Sequence, residues 1–229
     1  MTLVFAHRGG PGPWAENSLA AFAEARRLGA DGVELDVRRS ADGALVVHHD
    51  AAVPGVGPLS AALVRDLPDH VPLLADALGA CEGMVVNVEL KSDGDDGLAL
   101  AAATVVTETG WAERVVISSF DPDCLEAVGR AEPGLALAWL FEPGADAPAK
   151  LDGALERGFG GIHPFVASVD AELVDRAQRC GLDIRVWTVN SEGDLQAMVD
   201  LEVDAVITDQ LGEALEIARS GPNGGAVLR

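Results

Sequence analysis

Two short stretches of this chain end apolar runs in ionisable side chains: Ala6-His7-Arg8-Gly9-Gly10 and Val33-Glu34-Leu35-Asp36-Val37. Residues two apart on a β-strand share a face. A strand through Val33 to Val37 therefore aims the Glu34 and Asp36 carboxylates into one cavity. Carboxylates placed there are costly unless a cation or hydrogen-bond donors meet them. A divalent metal would satisfy both and would prepare the cavity for an anionic substrate. The same alternation puts Asn87, Glu89 and Lys91 on one face. Other polar groups also sit where apolar runs end: His48-His49-Asp50, Ser118-Ser119-Phe120-Asp121, His163, Trp187-Thr188-Val189-Asn190 and Thr208-Asp209. Packing alone does not explain so many polar residues at equivalent places.

The elements that would position them alternate. Strand-like runs fall at 3–6, 32–37, 84–89, 114–118, 135–140, 161–163, 184–188 and 205–208. Several are continuous Val/Ile/Leu runs, as in parallel strands buried on both faces. Amphipathic stretches lie between them. Leu19, Phe22 and Ala23 have helical spacing ahead of Gly29, Leu173, Val174 and Ala177 have it ahead of Gly181, and Met198 and Val199 precede the last strand. Eight strand–helix units predict an α/β fold, a (β/α)8 TIM barrel on the small side for its class. A doubly wound open sheet is the alternative, weakened because no Gly-x-Gly-x-x-Gly follows a strand. After strand 2 the rhythm breaks into a short hairpin and loop excursion. Asp42-Gly43 is a turn signal, residues 44–48 form a brief extra strand, and the Pro/Gly-rich segment 53–58 runs over the barrel mouth. Residues 1–220 are expected to form a single domain, with 221–229 a frayed tail.

The chain has 229 residues, 48% of them hydrophobic, enough for a substantial core. No apolar run approaches the roughly 18 residues of a membrane span, so stable membrane insertion is not expected. The formal charge of −21 argues against nucleic acid and anionic membrane surfaces as partners. Any phosphate must then be drawn in by a local cationic pocket or a metal. Cys81, Cys124 and Cys180 are odd in number and far apart, which predicts reduced core thiols. With no secretion signal at the N-terminus, a cytoplasmic location is expected.

The order of motifs resembles the glycerophosphodiester phosphodiesterase family. The matching pieces are His7-Arg8-Gly9, Glu16-Asn17-Ser18, Glu34-Leu35-Asp36-Val37, Asp42-Gly43 with His49-Asp50 after it, Val88-Glu89-Leu90-Lys91, Ser118-Ser119-Phe120-Asp121 and Val186-Trp187-Thr188-Val189-Asn190. Each is weak alone; their order and spacing together are specific. The chain departs from the family pattern twice. Asp50 runs into Ala51-Ala52-Val53-Pro54-Gly55 where an Arg-Thr-Thr-x-Gly stretch is common. Thr208-Asp209 is followed by Gln210-Leu211 where Thr-Asp-x-Pro is common.

The resemblance implies a TIM barrel that cuts a small-molecule glycerophosphodiester to glycerol 3-phosphate and an alcohol. It assigns Glu34, Asp36 and Glu89 to one divalent cation, and hard carboxylate oxygens suit Mg²⁺ or Ca²⁺. The plainer alternative is a metal-free charge network with Arg8 and Lys91. His7 and His49 resemble the family's acid/base pair, consistent with an imidazole that titrates near neutrality. Arg8 and Lys91 would hold the phosphate or offset the carboxylates, or both. Trp187 is core or pocket wall, the wall covering the glycerol. Asn17 reads as a structural hydrogen-bonder or cap, Glu16 as a buttress of the first loop, His70 as structural. His48 faces away from His49, and His163 lines the pocket or packs. Two rivals remain: a phospholipase-type phosphodiesterase on the same barrel, and a catalytically silent barrel that binds phosphodiesters. The pattern carries no oligomeric state.

Overall fold

Stretches such as Val85-Val86-Asn87-Val88-Glu89-Leu90 are rich in β-branched residues, which suit a pleated and buried surface. The computed structural model describes residues 1–220 apart from 93, 95 and 96. The tail expected to fray lies outside the described residues. The first half of the chain runs β1 (Leu3–His7), α1 (Leu19–Leu28), β2 (Gly32–Arg39), β3 (Leu45–Val47), β4 (Ala52–Val53), β5 (Gly57–Pro58), α2 (Leu74–Ala80), β6 (Val85–Leu90) and α3 (Leu98–Glu108). The second half runs β7 (Val115–Ser119), α4 (Pro122–Ala131), β8 (Ala136–Leu140), α5 (Ala147–Glu156), β9 (Gly161–His163), α6 (Ala171–Arg179), β10 (Asp183–Val186), α7 (Glu192–Asp200), β11 (Ala205–Thr208) and α8 (Leu211–Ser220).

Parallel pairing runs β1–β2–β6–β7–β8–β9–β10–β11 and returns to β1. The seam closes on Ala6, which pairs with Val33 on one side and Thr208 on the other. The eight expected strands are thus the eight staves of a closed (β/α)8 barrel, and the open-sheet alternative falls. Their outward side chains, among them Val33, Leu35, Val86, Val88, Ile117, Ile162 and Ile184, join the helices in the main core. Inside the barrel a smaller group centres on Phe5, Ala205 and Ile207. Gly32 is required there, because a Cβ on it would stand 2.4 Å from the Phe5 ring.

Five of the helices start where a side chain satisfies a free N–H group. Ser18, Asp121, Asp146, Asp170 and Ser191 cap α1, α4, α5, α6 and α7. Gly29, at φ 87°, ends α1 in the left-handed conformation. The buried face of α1 is Ala21, Phe22 and Ala25. Leu19 and Ala23, expected on that face, are exposed. The stripe follows Phe22 by one helical turn, and Leu19, as the first residue after the cap, points off the core.

The hairpin after strand 2 is present, with β3 antiparallel to β2 and Gly43 at φ 85° in its turn. The excursion folds into the two-residue strands β4 and β5 and packs Val53 and Leu59 on Val46 and Val71, a core separate from the main one. Strand 184–188 stops earlier than expected, at Val186. Trp187 instead makes an isolated parallel bridge to Phe165. Pro164, next to β9, has no N–H with which to extend the regular ladder.

Candidate active site

The acidic trio follows from register. Glu34 stands beside Asn87 and Asp36 beside Glu89 across the β2–β6 pair, so all four point into the barrel. Glu34, Asp36 and Glu89 are buried, and each offers an oxygen within 4.8 Å of those of the other two. Asp36 is the hub. Its carboxylate meets Lys91 Nζ at 2.9 Å, Arg8 Nε at 3.2 Å and the Asn17 amide at 2.8 Å. Lys91 reaches on to Glu89. Both expected phosphate-holding cations therefore also neutralise carboxylates. Glu34 is less well served: one oxygen accepts the Arg8 backbone N–H at 3.2 Å, and the other, Oε1, is buried with no hydrogen-bond partner among the described residues.

A tight loop after β1 brings Arg8 and Asn17 to Asp36. Arg8 (φ 52°), Gly9 (φ 89°) and Gly10 (φ 81°) follow one another in the left-handed region, as does Asn17 at φ 58°. Non-glycine residues are uncommon there and are strained where they occur. The Asn17 N–H donates to the Arg8 carbonyl at 2.9 Å, holding the two together. Gly9 cannot carry a side chain, since its Cβ would meet that of Ala21 at 2.6 Å. Glu16 grips Arg8 at 3.0 Å, the buttress expected of it. Asn17 is not the helix cap, which is Ser18; it clamps Asp36 instead.

The two histidines sit on different supports. His7 Nδ1 donates to Asp209 Oδ1 at 2.7 Å, and its Nε2 lies 3.9 Å from Glu34. His49 Nδ1 donates to Asp50 at 2.8 Å, and its carbonyl accepts Arg38 Nε at 2.8 Å. The neighbouring His48 N–H donates to the Asp36 carbonyl at 2.9 Å, tying this loop to β2. The His48 ring meets the Ala52 carbonyl at 3.3 Å.

Trp187 belongs to an aromatic cluster. It stands edge-on to Phe120 and Phe165, with centroids 5.5 and 5.4 Å away, and donates from its indole to the His163 carbonyl at 2.8 Å. It is half-buried and packs against the inner group of Phe5, Ala205 and Ile207. His163 is fully buried, and neither ring nitrogen has a partner among the described residues. Burial, then Arg185, holds its pKa well below the usual histidine range. His163 is thus a neutral interior residue.

Burial works against every charge in the cavity, and the outcome depends on partners. Burial, followed by the charge of Asp36, pushes the Glu34 carboxyl up to about 8. Burial and Asp36 also raise Glu89. Asp36 is pushed up by burial, but Lys91, Arg8 and Asn17 outweigh this and hold it below the usual carboxylate range. Burial lowers His7, but the Asp209 hydrogen bond and the charge of Glu34 overcome that and leave it raised. A divalent cation fits this cavity. It would stabilise ionised Glu34 and Glu89, give the orphaned Glu34 Oε1 a partner, and find a set of hard oxygen ligands.

The sequence pattern of the glycerophosphoryl diester phosphodiesterase family matches residues 7–213 of the chain. The chain belongs to this family. As a member of the glycerophosphoryl diester phosphodiesterase family it is a phosphodiester hydrolase. A glycerophosphodiester phosphodiesterase of Caldanaerobacter subterraneus subsp. tengcongensis is 32% identical, the match covering 96% of this chain and 99% of the relative. One from Bacillus altitudinis is 30% identical over 95% of this chain and 98% of its own. A solved glycerophosphodiester phosphodiesterase structure from Parabacteroides distasonis, 28% identical, superposes with a TM-score of 0.84 over 96% of this chain and 97% of that one.

Against this family background, the residues brought together are Glu34, Asp36, Glu89, His7, Arg8 and Lys91, with His49 on the adjoining loop and Trp187 in the aromatic cluster. Sequence reasoning gave no role to Asp209, Asn190 or Asp50. For Asp50 the signal was its place next to His49. For Asp209 it was a polar strand end 202 residues from His7, adjacent to it only because the barrel closes.

Proposed function

We propose that this chain hydrolyses glycerophosphodiesters to glycerol 3-phosphate and an alcohol, using one divalent cation, Mg²⁺ or Ca²⁺, held by Glu34, Asp36 and Glu89. One observation carries the reading: three buried carboxylates from adjacent staves converge within 4.8 Å, with His7 and Arg8 beside them. Bound there, the cation supplies Lewis-acid stabilisation of the phosphoryl oxygens.

The chain's own residues do the rest. Arg8 and Lys91 draw the phosphate into a protein that is acidic overall, and the planar Arg8 guanidinium can meet two oxygens. His7 and His49 move the protons. One accepts a proton from the nucleophile as it attacks phosphorus in line, and the other donates one to the departing alkoxide, a poor leaving group near neutral pH. The nucleophile is water or the adjacent glycerol hydroxyl, the second route passing through a cyclic phosphate. Trp187, backed by Phe120 and Phe165, covers the glycerol with an apolar face.

Product analysis on glycerophosphocholine tests the reading. Glycerol 3-phosphate and choline are expected, and intact phospholipid should be a far poorer substrate. His7→Ala and His49→Ala are each expected to lower kcat by at least about 100-fold. Near-normal kcat in either variant, with metal present, would remove that histidine from the mechanism. A substrate analogue without the glycerol hydroxyl separates the two nucleophiles, because equal turnover rules out the cyclic route.

A further inference from the structure

His7 meets its partner across the seam where the last stave joins the first. The partner, Asp209, is held firmly. Its Oδ1 accepts from His7 Nδ1 at 2.7 Å, and its Oδ2 accepts from Asn190 Nδ2 at 2.7 Å. Its backbone N–H donates to Asn190 Oδ1 at 2.9 Å. The same Asn190 oxygen accepts from the buried hydroxyl of Thr208 at 3.2 Å. Both carboxylate oxygens are therefore committed, and Asn190 faces Asp209 through its amide nitrogen and its oxygen alike. Thr208 Oγ1 accepts in turn from the Gln210 N–H at 2.9 Å, closing the turn into α8.

An ionised carboxylate can only accept hydrogen bonds. The hydrogen bond from His7 is the first cause of the lowered Asp209 pKa, so this carboxylate stays ionised. The proton between the two residues accordingly belongs to His7 Nδ1. Free neutral histidine prefers the opposite tautomer, with the proton on Nε2. In this site Nε2 is the ring atom on the Glu34 side, 3.9 Å from that carboxylate.

We propose that Asp209, oriented by Asn190, is a positioning residue that holds neutral His7 in the Nδ1–H form, so that Nε2 is the atom exchanging a proton with the substrate. The inference rests on the reading of His7 as a proton-transfer group. The balance is the same whichever role His7 takes. As base, Nε2 gains the nucleophile's proton and the ring becomes imidazolium. As acid, imidazolium gives its Nε2 proton to the leaving alkoxide and returns to the neutral Nδ1–H ring. In both cases the Nδ1 proton stays on its hydrogen bond to Asp209, which is not itself protonated.

The test uses the full chain labelled with ¹⁵N. Long-range ¹H–¹⁵N correlation reads the His7 ring nitrogens, assigned by their loss in His7→Gln. kcat and KM for glycerophosphocholine with Mg²⁺ are measured alongside. In the parent protein the neutral ring should carry its proton on Nδ1. Asp209→Ala should shift the population to Nε2–H and lower kcat about 100-fold, with KM changed less than about twofold. Asp209→Glu, which keeps a carboxylate, should recover part of both. Asn190→Ala loosens the carboxylate without removing it and should lower kcat about tenfold. It also serves as the second probe should Asp209→Ala fail to fold.

An unchanged His7 tautomer in these variants overturns the inference whatever happens to turnover. So does an unchanged kcat in Asp209→Ala when His7→Ala is inactive. If His7→Ala itself keeps near-parental turnover, the reading of His7 as a proton-transfer group fails instead, and the tautomer measurement still reports the contact with Asp209.

Discussion

Asn17 and Asp36 hold each other by two hydrogen bonds. The Asn17 amide donates to Asp36 Oδ2 at 2.8 Å, and the Asp36 N–H donates back to Asn17 Oδ1 at 3.2 Å. The pair fixes the rotamer of the one carboxylate that both Arg8 and Lys91 contact. It also explains why Asn17 accepts a left-handed backbone at φ 58°. Groups that orient a metal-binding carboxylate typically contribute 10- to 100-fold to affinity. Asn17→Ala should therefore weaken Mg²⁺ or Ca²⁺ binding by about tenfold in titration calorimetry, with the loss concentrated in affinity rather than stoichiometry.

Glu34 gives the metal-free protein a defined pH dependence. Its carboxyl is raised from 4.5 to about 8 by burial and by Asp36. Between those values the folded chain keeps a proton that the unfolded chain has released. The stabilising contribution is complete below the unfolded value and is lost as pH rises through the folded one. In chelator, Tm should fall across this window, and Glu34→Gln should flatten that part of the profile. Because a cation needs the ionised carboxylate, divalent affinity should rise over the same range.

Lys91 bridges Asp36 and Glu89 deep in the cavity, its side chain 13% exposed. Removing one partner of a buried ion pair leaves uncompensated charge and costs about 3–5 kcal/mol. Lys91→Met should lose about that much stability in urea without divalent cation. Saturating Mg²⁺ should return part of it, because the cation brings its own positive charge to the same carboxylates. A loss unaffected by Mg²⁺ would mean that the cation binds elsewhere.

The barrel and its candidate site were legible in the sequence to different depths. The staves were readable because most of their outward residues are Val, Ile and Leu. The acidic trio was readable because Glu34, Asp36 and Glu89 interrupt such runs at alternate positions. What a strand pattern cannot carry is which staves touch after closure. Asp209 beside His7 depends on the β11–β1 pairing, and the Asn17–Asp36 clamp depends on left-handed turns that only three-dimensional packing enforces. The α1 stripe was misplaced for a similar reason: Leu19 fits the helical period, but the cap at Ser18 turns it outward. His163 ends a strand like the other polar residues, yet it sits wholly inside the barrel.

The decisive measurement is release of glycerol 3-phosphate from glycerophosphocholine by chelator-treated protein, before and after Mg²⁺ or Ca²⁺ is restored. Release is expected only with the cation present, and it should be abolished when Glu34, Asp36 and Glu89 are all changed to their amides. Equal release in chelator, or full activity in the triple variant, would contradict a metal-dependent site built on these three carboxylates.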